Sequence, residues 1–128
     1  MENFQRMSEA EAEVMRLIWT ADDTITSAQI INEIGEKKQW KPSTIWTFLG
    51  RLVEKGLIQA KKVGKTNYYT PALTEEEYRQ EETRQFLNSV HGGSVKSFFA
   101  ALSAGKSLNK DELAELRQWL DESNRGVK

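Results

Sequence analysis

Residues 41–58, KPSTIWTFLGRLVEKGLI, constrain the fold more tightly than any other stretch of the chain. Ile45, Leu49 and Leu52 recur at helical spacing with Phe48 and Val53 beside them, so one side of an amphipathic helix must be covered by protein. The other side carries Ser43, Thr47, Gly50 and Arg51 and is nearly uncharged. A helix that only faces water is normally filled with Lys, Glu and Gln, whereas Thr and Gly cost roughly 0.5–1 kcal/mol each relative to Ala. Small, weakly helix-forming side chains on the outer face suit a helix that something must approach closely.

The stretch sits third in a series of capped helices. Ser8 with Glu11 makes a capping box before Val14, Leu17 and Ile18, and Thr26 with Gln29 makes a second before Ile30, Ile31 and Ile34. Pro42 suits the first turn of the third helix and Gly56 its end. Helix, turn, helix, turn and longer helix within 56 residues is a helix-turn-helix unit. After Gly56 the pattern changes period: LIQAKK and NYYTP, with Ile58, Ala60, Tyr68 and Tyr69, read as two short strands around the turn VGKT, which contains Gly64. A hairpin added to three helices is a winged helix.

Thr74 with Glu77 opens a polar helix that runs to His91 and breaks at Gly92-Gly93. Val95, Phe98, Phe99 and Leu102 follow at helical spacing. After Gly105 a last helix opens at Asn109, with Glu112 three residues on, and carries Leu113, Leu116, Trp119 and Leu120. The expected architecture is therefore mainly α with a small β-hairpin wing: a winged helix-turn-helix domain over 1–73 and a helical dimerisation region over 74–128. Together with Phe86, Leu87 and Val90, these residues are more apolar surface than short helices can hide on each other, and a homodimer is expected.

Charge is strongly segregated beneath a net −1. Residues 1–36 hold two basic and eight acidic residues, 37–65 eight basic and one acidic, and 66–128 eight basic and ten acidic. A basic block that coincides with the uncharged helical face and the hairpin is the footprint expected where phosphates are met. The major groove, about 12 Å wide, admits one helix, and short Ser and Thr side chains let its backbone approach base edges and thymine methyls. Ser43, Thr44, Thr47 and Gly50 are therefore the expected base-facing residues. Trp46, at the border of the apolar arc, is either buried or packed on sugar and thymine methyl. Arg51 suits a phosphate contact or an internal ion pair with an acidic neighbour, and Lys61, Lys62 and Lys65 suit the phosphate backbone. A winged helix that docks a partner protein through the same helix is the alternative.

Other classes find little support. Zero Cys removes disulfides, thiolate metal sites and thiol nucleophiles. No apolar run approaches the ~20 residues of a membrane span, and the acidic start MENFQRMSEAEAEVM is unlike a signal peptide, so a cytoplasmic protein is expected. The single His, His91, joins no nucleophile or metal-ligand set and suits a helix C-terminus. No catalytic residue, metal or cofactor is expected.

SEAEAEVMRLIW, STIWTFLGRLVEKGLI and KKVGKTNYYTP, in that order and spacing, resemble the penicillinase/methicillinase repressor family (BlaI/MecI), which also includes copper-responsive repressors. The run Thr44, Thr47, Arg51, Leu52, Lys55 and Gly56 carries the likeness most specifically, and HGG with DELAELRQWL is similar to the family's dimerisation end. The resemblance implies a winged-helix DNA-binding domain, a homodimer made by the C-terminal helices and repression by occupancy of a palindromic operator. Family members often carry basic residues where this chain has Ser43 and Trp46, so the resemblance does not carry base contacts or an operator across. The β-lactam-responsive branch is cut at an Asn-Phe bond near the C-terminal helices; here that stretch is SFFAALSAG, and Asn-Phe occurs only at Asn3-Phe4. The copper branch uses Cys pairs, absent here. Neither branch's inducing signal is implied.

Overall fold

Of the three helices in the N-terminal half, the first two start where a side chain satisfies free N–H groups, and the third starts at a proline. The computed structural model describes residues 4–125; residues 1–3, with Asn3 of the Asn3-Phe4 pair, and 126–128, the end of the expected dimerisation region, lie outside them. The elements run α1 (Glu9–Thr20), β1 (Ile25–Thr26), α2 (Ser27–Lys38), α3 (Pro42–Glu54), β2 (Ile58–Val63), β3 (Thr66–Pro71), α4 (Glu75–His91), α5 (Val95–Ala104) and α6 (Lys110–Arg125). Both N-terminal capping boxes close: Ser8 Oγ accepts from the Glu11 N–H at 3.1 Å and Thr26 Oγ1 from the Gln29 N–H at 3.2 Å, each answered by the return bond. At the end of α3, Gly56 takes φ 74° while its N–H donates to Val53 O and that of Leu57 to Leu52 O, a Schellman motif that turns the chain into β2.

The first compact unit is Met1–Glu82. The stripes of α1 (Val14, Met15, Ile18), α2 (Ile30, Ile34) and α3 (Ile45, Leu49, Leu52) converge with Leu57, Ile58 and Tyr69 into one core. The hairpin pairs from Ile58 opposite Pro71 to Val63 opposite Thr66, and Gly64 stands at φ 64° in the first place of its two-residue turn, where a primed turn needs it. A two-residue strand, β1, adds to the other side of β3 through Ile25 opposite Tyr69. Two residues carry no readable period, and only the pairing with β3 defines them.

The unit extends past the boundary expected after residue 73, because the start of α4 packs into it. Tyr78 is buried, its phenol oxygen accepts the Met7 N–H at 2.8 Å, and its ring lies 5.2 Å from Phe4 and 5.9 Å from Trp19. Burial, with a hydrogen bond to Glu82, raises the Tyr78 pKa. Trp19 Nε1 donates to Leu73 O at 3.0 Å just before the helix.

Among the described residues, one charged residue lies inside the core. Glu11, 2% exposed, occupies the stripe it shares with Val14, Met15 and Ile18. Its Oε1 meets Lys55 Nζ at 2.5 Å, and the same ammonium donates to Arg6 O at 2.8 Å. Burial opposes ionisation of Glu11, but the Lys55 ammonium, the Ser8 N–H and the charge of Arg51 together hold its pKa below the ordinary value.

The second unit, Thr83–Lys128, is built differently. Among its described residues none is fully buried. Phe86, His91 and Phe98 meet edge to face, with ring centroids 5.6–6.4 Å apart, and His91 Nδ1 lies 2.9 Å from Ser97 Oγ. The turn after α5 is a second Schellman motif, but its left-handed residue is Lys106 at φ 58°, while Gly105 sits at φ −81°.

The buried pair gives a stability prediction. Lys55→Met leaves a carboxylate buried without its cation and should cost about 3–5 kcal/mol in urea unfolding, most of it regained when Glu11→Met is added. A loss under about 1 kcal/mol would place the pair among solvent-screened ones. Because the folded pKa of Glu11 is depressed, its contribution is complete above the unfolded carboxyl value of about 4.3 and disappears as pH falls through the lower, folded value. The Glu11→Gln variant should lose that part of the acid dependence.

Candidate nucleic-acid interface

With Ile45, Leu49 and Leu52 fixed in the core, the opposite face of α3 is turned outward. Ser43, Thr47, Gly50 and Arg51 are exposed, Thr44 is half-buried, and Trp46, 42% exposed, lies on the surface rather than in the core. The structure thus gathers the expected face into one patch. Thr47 Oγ1 donates to Ser43 O at 3.0 Å, one turn back. Gly50 opens onto empty space, with nothing within 4 Å of where a Cβ would stand. The Arg51 guanidinium is 6.0 Å from the centroid of the Phe48 ring, and its charge contributes to lowering the Glu11 pKa.

The basic block divides once it is folded. Lys55 is held by Glu11, and Lys38 Nζ lies 3.6 Å from Glu13. Lys37, Lys41, Lys61, Lys62 and Lys65 are exposed and, among the described residues, outside any ion pair. Lys61 stands opposite Tyr68 and Lys62 opposite Asn67, so the two adjacent lysines point to opposite faces of the sheet. The hairpin therefore does not bring all three of its lysines onto one surface, and Lys65 occupies the turn itself.

Sequence reasoning did not single out Lys41, which caps α3 without a side-chain bond, or Lys37 at the end of α2. Lys41 adjoins the start of the exposed face, whereas Lys37 lies by the groove between α1 and α2 near Glu13, and the signal for both was the basic block itself. It also left Lys55 unassigned, although its partner was visible: a carboxylate on the apolar stripe of α1 requires a buried cation.

The sequence profile described as "Penicillinase repressor" matches residues 7–122. The chain belongs to the penicillinase repressor family. It is 34% identical over 122 residues to the penicillinase repressor of Bacillus licheniformis, covering 95% of this chain and 94% of that one. It is 35% identical over 115 residues to the methicillin resistance regulatory protein MecI of Staphylococcus aureus strain N315, covering 90% and 93%. Among solved structures, the Bacillus licheniformis BlaI monomeric form in complex with the blaP half-operator matches with a TM-score of 0.51 and 37% identity, over 59% of this chain and 90% of that one. The matched share of this chain is of the size of its N-terminal unit.

Among the described residues no helix is long and apolar enough to cross a membrane.

Gly50 supplies the prediction from this surface. In the middle of an exposed helix with free space around it, glycine lowers stability, so Gly50→Ala should raise the stability of the free protein by about 0.5–1 kcal/mol while weakening DNA binding through the added methyl. Thermal unfolding and titration with duplex DNA read the two effects separately. Unchanged affinity would show that nothing approaches this part of α3 closely.

Proposed function

We propose that the protein is a sequence-specific transcriptional repressor that binds a palindromic operator as a homodimer, with α3 in the major groove and the hairpin on the phosphate backbone. The observation that carries this reading is the outer face of α3: exposed, free of charge from residue 42 to residue 50, and bordered by exposed Lys41 and Arg51 on a domain whose relative binds a half-operator. A groove floor accepts such a face, and the flanking cations meet the phosphates. Occupying the operator excludes the transcription machinery, so no catalytic step is needed.

The dimer is supported by the make-up of the second unit. Phe86, Val90, Val95, Leu113, Trp119 and Leu120 are 38–59% exposed, and Leu87, Phe98, Phe99, Leu102 and Leu116 are only half-buried. Phe99, Leu108, Leu113, Leu116 and Leu120 line an open apolar groove of about 230 Å³ between α5 and α6. An apolar side chain gains ~1.5–3 kcal/mol on full burial, so several of them closing across a two-fold axis outweigh the entropic cost of association. Two-fold pairing also sets two α3 helices on half-sites one DNA turn, about 34 Å, apart.

Two measurements test the proposal. Lys65→Ala should lower the slope of log affinity against log salt by about one unit on operator and random DNA alike, and of Lys61→Ala and Lys62→Ala one but not both should do the same. A salt-independent association would instead favour a protein-docking module. Trp119, 59% exposed, can be changed without disturbing a core: Trp119→Asp should give monomers in light scattering that keep the melting transition of the first unit and bind the operator at least tenfold more weakly. A wild-type chain that is monomeric at micromolar concentration while binding a full operator tightly would overturn the dimer.

A further inference from the structure

The bases under α3 follow from what its face lacks. Residues 42–50, PSTIWTFLG, contain no Arg, Lys, Asn, Gln, Asp, Glu or His. The side chains that read guanine and adenine with paired hydrogen bonds are therefore missing from the first nine residues of the helix, the part that enters a major groove most deeply in helix-turn-helix domains. The exposed groups that remain are the hydroxyls of Ser43 and Thr47, the Thr47 methyl, the Trp46 indole and the bare backbone at Gly50.

Thr47 is further restricted. Its hydroxyl proton is engaged by Ser43 O at 3.0 Å, so it has no free donor for the O6 and N7 acceptors of guanine. What it presents is a methyl group and oxygen lone pairs. One turn on, Gly50 adds no side chain and the space where its Cβ would stand is open, so the helix surface beyond Thr47 can be approached closely. An exposed methyl next to a helix surface that carries no side chain suits a small apolar group on the partner. The only apolar knob on the major-groove edge of DNA is the thymine 5-methyl group.

We infer that Thr47 is a specificity-determining residue that selects an A·T pair in each half-site by packing its methyl against a thymine 5-methyl, the open surface at Gly50 allowing the close approach. The inference rests on the reading of α3 as the operator-facing helix and adds to it the kind of base pair and the kind of contact. The hydroxyl of Thr47 acts within the helix, and selection comes from shape and apolar contact.

The test uses full-length protein and a duplex selected by it from a random pool, in which each thymine is replaced in turn by deoxyuracil, which lacks only the methyl. For the wild type, at least one thymine per half-site should weaken binding about fourfold on replacement, the ratio to which the ~0.8 kcal/mol of one buried methyl-sized group converts. Thr47→Val, which keeps a methyl and removes the hydroxyl, should retain that sensitivity. Thr47→Ser, which keeps the hydroxyl and removes the methyl, should bind the thymine and uracil duplexes equally. Both changes are at an exposed position, and unchanged affinity for random DNA confirms that the variants are folded. A selected sequence indifferent to uracil at every thymine overturns the inference, as does sensitivity that survives in Thr47→Ser. A pool that yields no preferred sequence overturns the operator reading itself, so the two failures are distinguishable.

Discussion

The geometry of the N-terminal unit depends on the contact between Glu11 and Lys55. A carboxylate on the apolar stripe of α1 is tolerable only if a cation reaches it, and the cation comes from the residue that ends α3. Glu11 also closes the capping box that starts α1, and Lys55 also holds the carbonyl of Arg6. The start of α1, the end of α3 and the segment before α1 thus meet at one ammonium group. Close packing of the apolar stripes already disfavours rotation of a helix, and the ion pair with its hydrogen bonds adds a directional contact to the same arrangement. In that arrangement Ile45, Leu49 and Leu52 face inward, and the bare face of α3 has to face outward.

The same contact changes how the charge of the chain is to be understood. Eight basic residues lie between positions 37 and 65, yet the fold turns Lys55 inward against Glu11, sets Lys38 beside Glu13 and divides Lys61 from Lys62 across the sheet. The exposed lysines outside ion pairs are fewer than the count and are divided between the start of α3, the end of α2 and the hairpin. The centre of the α3 face is neutral. Cations at the border and small groups in the middle separate attraction to any DNA from discrimination between sequences, because phosphates carry no sequence and base edges do.

The two units reach stability by different routes. The first has a core of fully buried aliphatic residues, with Tyr78 and Trp19 tying the start of α4 to it. The second joins the end of α4 to α5 through ring contacts of Phe86, His91 and Phe98 and leaves leucines and a tryptophan on the surface. In the homodimer proposed above, that surface is covered by a second copy, and the concentration of the chain becomes part of its stability. Sequence spacing had placed the end of the DNA-facing part at residue 73, since the capping box at Thr74 looks like the start of something new. The packing of Tyr78 shows that a helix can begin in one unit and continue into the next.

Much of this was legible in the sequence because it rests on local rules. Capping boxes at Ser8 and Thr26, the glycine at position 56, the hairpin around Gly64 and the helical spacing of Ile45, Leu49 and Leu52 each depend on residues within a few positions of one another, and each appears in the fold as expected. The residues of the exposed α3 face follow from the same spacing. What the sequence could not determine depends on partners distant along the chain. The strand at Ile25 exists only by pairing with Tyr69, Lys55 is drawn to the edge of the core only because Glu11 lies 44 positions earlier, and Lys61 and Lys62 part company only once the register with Tyr68 and Asn67 is set. Periodicity reports which side of an element is apolar; only the packed chain decides which charges are left for a partner, because that is settled by which groups come within a few ångströms of each other in space.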